Sequence, residues 1–303
     1  MPVRARTSRC PPAHCALRHW RRLFWGLRGG GGNFGVVTSF EFALHPVGPM
    51  VNLGLLFFGL ENGPGALRFA RDYIPTLPDN ATAFLGIGLS EPPAPFVPSQ
   101  YHFVPGHAVI IVGFGSPEEH AALVAPLRSA VTPLFELVTP IPYVALQQMF
   151  NGSATWGLHA YEKALMLTEL SDAAIEVISE HVPKKHSPLS FCPTFSMRGA
   201  FCAPAAGDAA FSGQRTEGYV FNIGGASPTP DGYEAERTWV RNFWDAMRPH
   251  ATGSGSYVNF IAESDEDRVR ASHGAEKYQR LARIKATYDP GNVFHLNANV
   301  EPA

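Results

Sequence analysis

Hydrophobic positions recur along this chain in two rhythms, one near two residues and one near three and a half. Val36-Val37-Thr38-Ser39-Phe40-Glu41-Phe42 is dense in β-branched and aromatic residues. Its alternation sets Val36, Thr38, Phe40 and Phe42 on one face, which predicts a strand. Val51–Phe58 and Ala108–Phe114 predict further strands, with a weaker pattern over Leu158–Thr168. The longer rhythm predicts helices over Gly65–Ile74, Pro117–Val131, Asp172–His181, Pro230–Met247 and Ala275–Thr287. Ser116-Pro117-Glu118-Glu119 is a strong helix start, with a capping serine, a proline at the first position and acids at the positive dipole end. Ser171-Asp172 opens the next helix in the same way. Tyr233, Trp239, Val240, Phe243 and Trp244 are available to pack inward from the long helix. The last helix carries Tyr278, Leu281, Ile284 and Tyr288 on one stripe, and must stop at Asp289-Pro290-Gly291-Asn292. No repeat of fixed period is present. Mixed order and hairpin-length gaps predict an α+β fold, an antiparallel sheet flanked by helices.

Composition narrows the class. Hydrophobic residues make up 45% of the 303 and charged residues 17%, which fits a soluble globular protein rather than a disordered one. A formal net charge of −2 offers no basic field for nucleic acid or an anionic membrane. Apolar runs such as Met50–Leu60 are too short, and too interrupted by Asn and Gly, to span a bilayer. Residues 1–22 differ from the rest: six arginines, three prolines and no acid. That composition is compatible with a transit peptide, but it lacks the apolar stretch of a secretory signal. It is read as a disordered or artefactual tail, the latter from a misplaced start or frame, and the protein as cytoplasmic rather than secreted. Cys10, Cys15, Cys192 and Cys202 lack the paired spacing of a zinc site and are read as idle thiols, although a Cys192–Cys202 disulfide is sterically conceivable.

Two segments carry candidate chemistry. Leu23-Phe24-Trp25-Gly26-Leu27-Arg28-Gly29-Gly30-Gly31-Gly32-Asn33-Phe34-Gly35-Val36-Val37-Thr38 contains four consecutive glycines. Unshielded backbone N–H groups there suit a loop lying against phosphates or a flat cofactor, and equally a tight structural turn. Gly30, Gly32 and Gly35 satisfy G-x-G-x-x-G, but a dinucleotide motif must open a helix and a strand is predicted instead. The second segment is Tyr257-Val258-Asn259-Phe260, followed by Tyr288-Asp289-Pro290-Gly291-Asn292-Val293-Phe294 and Asn297-Ala298-Asn299. As a strand, the first four residues put Tyr257 and Asn259 on one face. That pair is able to hydrogen-bond a heterocycle, or simply to face water. Glu162 and Glu169 are pocket candidates with exposed edge carboxylates as the plainer reading. Neither G-x-S-x-G nor H-E-x-x-H occurs.

Taken together, Leu23–Thr38 and Tyr257–Asn299 resemble the berberine bridge enzyme-like family of FAD-linked oxidases, within the vanillyl-alcohol oxidase superfamily. The resemblance covers about Leu23–Pro302. It implies FAD held between a flavin domain and an α+β substrate domain whose sheet covers the isoalloxazine ring. On this reading 23–48 is a remnant of the FAD-binding domain, 49–255 the substrate domain and 256–303 a berberine-like segment returning to the flavin. It assigns Gly32, Asn33, Gly35 and Val36 to the cofactor near its ADP half, and Asn259, Asn297 and Asn299 to the ring's neighbourhood. Tyr257 becomes the candidate catalytic base. The reaction implied is hydride transfer from an alcohol, hemiacetal or activated C–H of a small molecule (sugar, alcohol or secondary metabolite) to the flavin, which O₂ reoxidises. No nucleic-acid or membrane partner is implied.

Two departures qualify the expectation. Family members have roughly 200 further residues ahead of the Gly-rich loop, with a phosphate-binding loop and the residues of covalent flavin attachment, and these have no counterpart in residues 1–22. Plant members commonly have tyrosine where this chain has Phe260, which leaves Tyr257, or an unidentified residue of another strand, as the base. The expectation is therefore a truncated enzyme with weak or no activity alone. A non-catalytic α+β small-molecule binding module and an enzyme that recruits a flavin domain from another chain are the competing readings.

Overall fold

The computed structural model describes residues 3–4, 21–153, 155–205, 207–213, 215–252, 266–296 and 298–303. Two compact units emerge, Met1–Pro46 with Cys202–Arg215 and Gly253–Ala303, and Val47–Phe201 with Thr216–Thr252. In the first unit Val3–Arg4 (β1) pairs antiparallel with Glu41–Phe42 (β2), and residues 21–27 form a helix, α1. Glu266–His273 (α7) and Ala275–Tyr288 (α8) complete its described helices.

In the second unit, seven strands among the described residues form one sheet: Met50–Gly59 (β3), Ala81–Ser90 (β4), Pro105–Gly113 (β5), Phe135–Pro142 (β6), His159–Leu167 (β7), Cys192–Met197 (β8) and Gly218–Ser227 (β9). Their order is β6-β3-β5-β4-β8-β9-β7 and every neighbouring pair is antiparallel. The α+β expectation with an antiparallel sheet holds. Helices Gly63–Tyr73 (α2), Pro117–Ala130 (α3), Asp172–His181 (α5) and Pro230–Met247 (α6) share one face, and a short helix, Tyr143–Gln148 (α4), follows β6. Leu56, Phe58, Ile111 and Phe221 from the sheet bury against Leu67, Val124, Ile178 and Phe243 from the helices. Each such side chain contributes about 1.5–3 kcal/mol of burial free energy. Close seating is permitted by glycine: a Cβ on Gly54 would lie 2.7 Å from Val124, and one on Gly225 2.8 Å from Val240.

Local chemistry starts the helices as the sequence implies. Ser116 Oγ accepts from the Glu119 amide at 3.2 Å while Glu119 Oε2 accepts from the Ser116 amide at 2.7 Å, a complete capping box. Ser171 caps α5 through the Ala174 amide, and Thr229 caps α6 through Gly232. The far face is covered at its β6–β3–β5 end, where Leu53, Leu55, Phe57 and Ile110 pack with Val97 and Phe135.

One expected strand is corrected. Of Val36–Phe42, just Glu41–Phe42 pairs, and 36–40 run outside any ladder with Val36 78% and Phe40 59% exposed. Strand propensity without a partner strand leaves the alternating apolar face in solvent. No disulfide joins Cys192 to Cys202. No described helix is long and apolar enough to cross a membrane.

Candidate functional site

The two segments set apart in the sequence fold into one core of the first unit. Leu23, Trp25 and Phe34 pack with Tyr278, Leu281, Ile284 and Val300. Trp25 also fastens the 202–215 segment: its Nε1 donates to Gly207 O at 2.8 Å and its carbonyl accepts from the Ala210 amide at 3.2 Å. The Arg280 guanidinium lies 3.8 Å over the Trp25 ring.

Asn33 pins the glycine loop to the chain end. Its Nδ2 donates to Gly30 O at 2.7 Å and to Ala298 O at 3.0 Å, and its Oδ1 accepts from the Val300 amide at 2.8 Å. The side chain is 3% exposed, and its amide is committed to the backbone. Gly29 has φ +119° and an added Cβ there would meet the Phe211 backbone at 2.3 Å. Gly35, at φ +140°, has no atom of the described residues within 4 Å of that position, so space lies open beside the loop among them. Gly32 and Val36 are exposed along the same stretch.

The Tyr288–Phe294 motif is a carboxylate-capped turn. Asp289 Oδ1 and Oδ2 accept from the Val293 and Phe294 amides, each at 2.9 Å. Lys285, fully buried, donates to Asp289 Oδ2 at 2.7 Å and to Phe294 O at 2.7 Å. Burial raises the Asp289 carboxyl, but the Lys285 ammonium and the two amides outweigh it and hold the group down to about 2. Sequence reading missed Lys285, although a lysine four residues before the aspartate on a helix was the available signal. Further on, Asn299 is half-buried and its Oδ1 is an inaccessible acceptor with no partner among the described residues.

The second unit contributes a polar pair on the sheet face opposite its helices. In β7 and β9, Tyr161, Leu165, Phe221 and Ile223 face the helices, so the alternate residues Glu162 and Asn222 face the other way. Asn222 Nδ2 donates to Glu162 Oε2 at 3.3 Å. Asn222 is 2% exposed and its Oδ1 has no partner among the described residues. An unmet buried acceptor of this kind costs about 1–3 kcal/mol unless something answers it. Phe195 stands opposite Val220 on this face and contacts Phe84 at 5.2 Å between ring centroids, and Phe84 in turn contacts Phe150 at 5.4 Å. Asn222 was missed in the sequence; a lone amide inside Tyr219-Val220-Phe221-Asn222-Ile223 was the clue. Glu169 is exposed beyond the end of β7 and does not join this pair. Tyr257, Asn259 and Asn297 lie outside the described residues.

A seven-stranded antiparallel sheet backed by helices, with a separate Gly-loop unit, defines the fold class of the structures it matches. One is 6-hydroxy-D-nicotine oxidase from Arthrobacter nicotinovorans, at TM-score 0.72 and 19% identity over 93% of this chain and 61% of that one. The sequence profile described as "Berberine and berberine like" matches residues 256–301. An FAD-linked oxidoreductase of Dictyostelium discoideum is 23% identical over 286 residues, 93% of this chain and 58% of that protein. Xylooligosaccharide oxidase of Thermothelomyces thermophilus is 25% identical over 307 residues, again 93% and 58%. Residues 256–301 are thus a berberine-like segment, and the chain along most of its length is similar to FAD-linked oxidoreductases. It spans 58% of the length of these curated relatives.

Proposed function

We propose that this chain supplies the substrate-handling face and part of the cofactor-holding residues of an FAD-linked oxidoreductase acting on an alcohol, hemiacetal or activated C–H of a small molecule. The carrying observation is the shared core of Leu23–Phe34 and Tyr278–Val300, pinned by Asn33, because it presents a left-handed glycine loop beside open space. The residues present fit a flavin. Main-chain groups at Gly32, Gly35 and Val36 would approach it, Asn299 offers an unanswered amide oxygen, and Asn33 holds the loop in place. Asn259 and Asn297 join them on the family pattern. The 23–48 and 256–303 segments are the flavin-side portions on this reading, and 49–255 the substrate domain. When bound, the flavin accepts hydride and is reoxidised by O₂.

This chain's residues supply orientation and proton removal. Tyr257 is the proposed base, taking a substrate proton at its phenolic oxygen. Because Glu162 occupies Asn222 Nδ2, the Asn222 amide is turned so that Oδ1 accepts from the substrate. One relative is named for xylooligosaccharide and another for 6-hydroxy-D-nicotine, so a sugar, alcohol or secondary metabolite of that size is the proposed class. The 303-residue polypeptide by itself exposes Val36, Phe40, Phe42 and Leu44, and is expected to hold FAD weakly and to self-associate.

The test joins a flavin-binding domain ahead of Leu23 and follows substrate-dependent O₂ uptake. Turnover that falls in Tyr257→Phe and in Asn222→Leu supports the reading. Turnover indifferent to both, or ligand binding with no redox chemistry at all, favours the binding-module alternative.

A further inference from the structure

At one end of the second unit's sheet, where β7 and β8 finish and β9 begins, a cleft of about 780 Å³ opens. That volume lies within the range of small-molecule sites. Two arginines and five carboxylates line it. Both arginines are already engaged by the protein. Arg71 donates to Asp72 at 2.9 Å, to Asp172 at 2.7 Å and to Leu170 O at 3.3 Å. Arg198 donates to the carbonyls of Ala81, at 3.3 Å, and Leu77. Asp72 and Asp172 are thereby paired as well.

Three carboxylates are left over. Asp79, Glu169 and Glu217 are exposed on the cleft wall, and none has an ion-pair partner among the described residues. A second observation is independent of them. Tyr219 lines the same cleft at 4% exposure, and its hydroxyl has no hydrogen-bond partner among the described residues. Burial pushes this phenol up to about 12, so it stays protonated and able both to donate and to accept. A buried ring whose unpaired hydroxyl opens on the cleft, beside an excess of negative charge, suits a ligand that brings cationic N–H groups.

We propose that this cleft binds a small aliphatic polyamine, a site separate from flavin chemistry. The carboxylates come from the turn before β4, the end of β7 and the residue before β9, so they are spread around the rim. No group of three acidic, His or Cys side chains among the described residues is placed to hold a metal ion. An extended chain with several spaced ammonium groups reaches separated carboxylates where one metal ion cannot. Its N–H groups meet the Tyr219 oxygen, and its methylenes lie along the ring.

The experiment is equilibrium dialysis of spermidine against the full 303-residue chain, with magnesium chloride as competitor at matched ionic strength. Saturable binding of about one spermidine per chain is expected, weakening as salt rises. Tyr219→Phe keeps the packed ring, and it should weaken binding by about two- to tenfold through one lost hydrogen bond. The exposed double variant Glu169→Gln with Glu217→Gln leaves the core untouched and should weaken it further. Circular dichroism confirms that both variants are folded. No saturable binding by folded chain, equal binding in both variants, or displacement by magnesium at equal charge overturns the proposal.

Discussion

Removing the Asn33 amide tests whether the glycine loop and the chain end are one structure. Asn33→Ala deletes three hydrogen bonds of 2.7, 3.0 and 2.8 Å to Gly30, Ala298 and Val300. Each is worth about 0.5–1.5 kcal/mol net, and the buried Val300 amide is left without its acceptor, so the loss should reach about 2–4 kcal/mol. Hydrogen exchange read by mass spectrometry localises it. Amides in the peptide ending at Ala303 should exchange about 30- to 900-fold faster, the same free energy expressed as a ratio. Peptides from β3 and β5 should not change. Asn33→Asp is at least as damaging, because a carboxylate would face the Gly30 and Ala298 carbonyl oxygens in place of two donors. Wild-type protection of the chain end in both variants would refute the reasoning that the amide, rather than the surrounding apolar core, joins the segments.

Three further outcomes are expected. Asp289 has its folded pKa depressed to about 2, so its stabilising effect is present above the unfolded carboxylate value and lost as pH falls toward 2. An acid titration of the first unit's stability should lose that slope below about pH 4 in Asp289→Asn. Asn222→Leu removes an unanswered buried acceptor, so thermal stability should change by less than about 1 kcal/mol. Substrate-dependent kcat/KM should nevertheless fall about tenfold, and equal losses in both would mark Asn222 as merely structural. In the enzyme joined to a flavin domain, Tyr257→Phe should slow flavin reduction by about 10²–10⁴-fold in stopped flow, whereas wild-type rates would remove Tyr257 as the base.

Elements with strong local chemistry were legible in the sequence. The Ser116 box and the Pro230 start place α3 and α6 within a residue of their observed bounds, because capping and proline geometry are decided locally. Strands β4, β6, β8 and β9 were overlooked, each having glycine or proline within its apolar run. In β9 the glycine serves tertiary packing, since Gly225 has no side chain to keep Val240 of α6 away. The opposite error, extending a strand over Val36–Phe40, came from reading propensity where no partner strand lies among the described residues. At the site, the Gly-rich and Tyr-Asp-Pro-Gly-Asn segments were recognisable as motifs. Their contact through Asn33, and the Lys285–Asp289 pair that shapes the second, depend on residues brought together by the fold. The Asn222–Glu162 pair needed the register of β7 against β9, which periodicity alone does not supply.

The most direct test of the central claim is the hydrogen-exchange footprint of FAD on the chain joined to a flavin-binding domain. One flavin per polypeptide is expected, with protection on binding at residues 30–36 and 298–300. A polypeptide that takes up no flavin, or a footprint that spares both the glycine loop and the chain end, would contradict it.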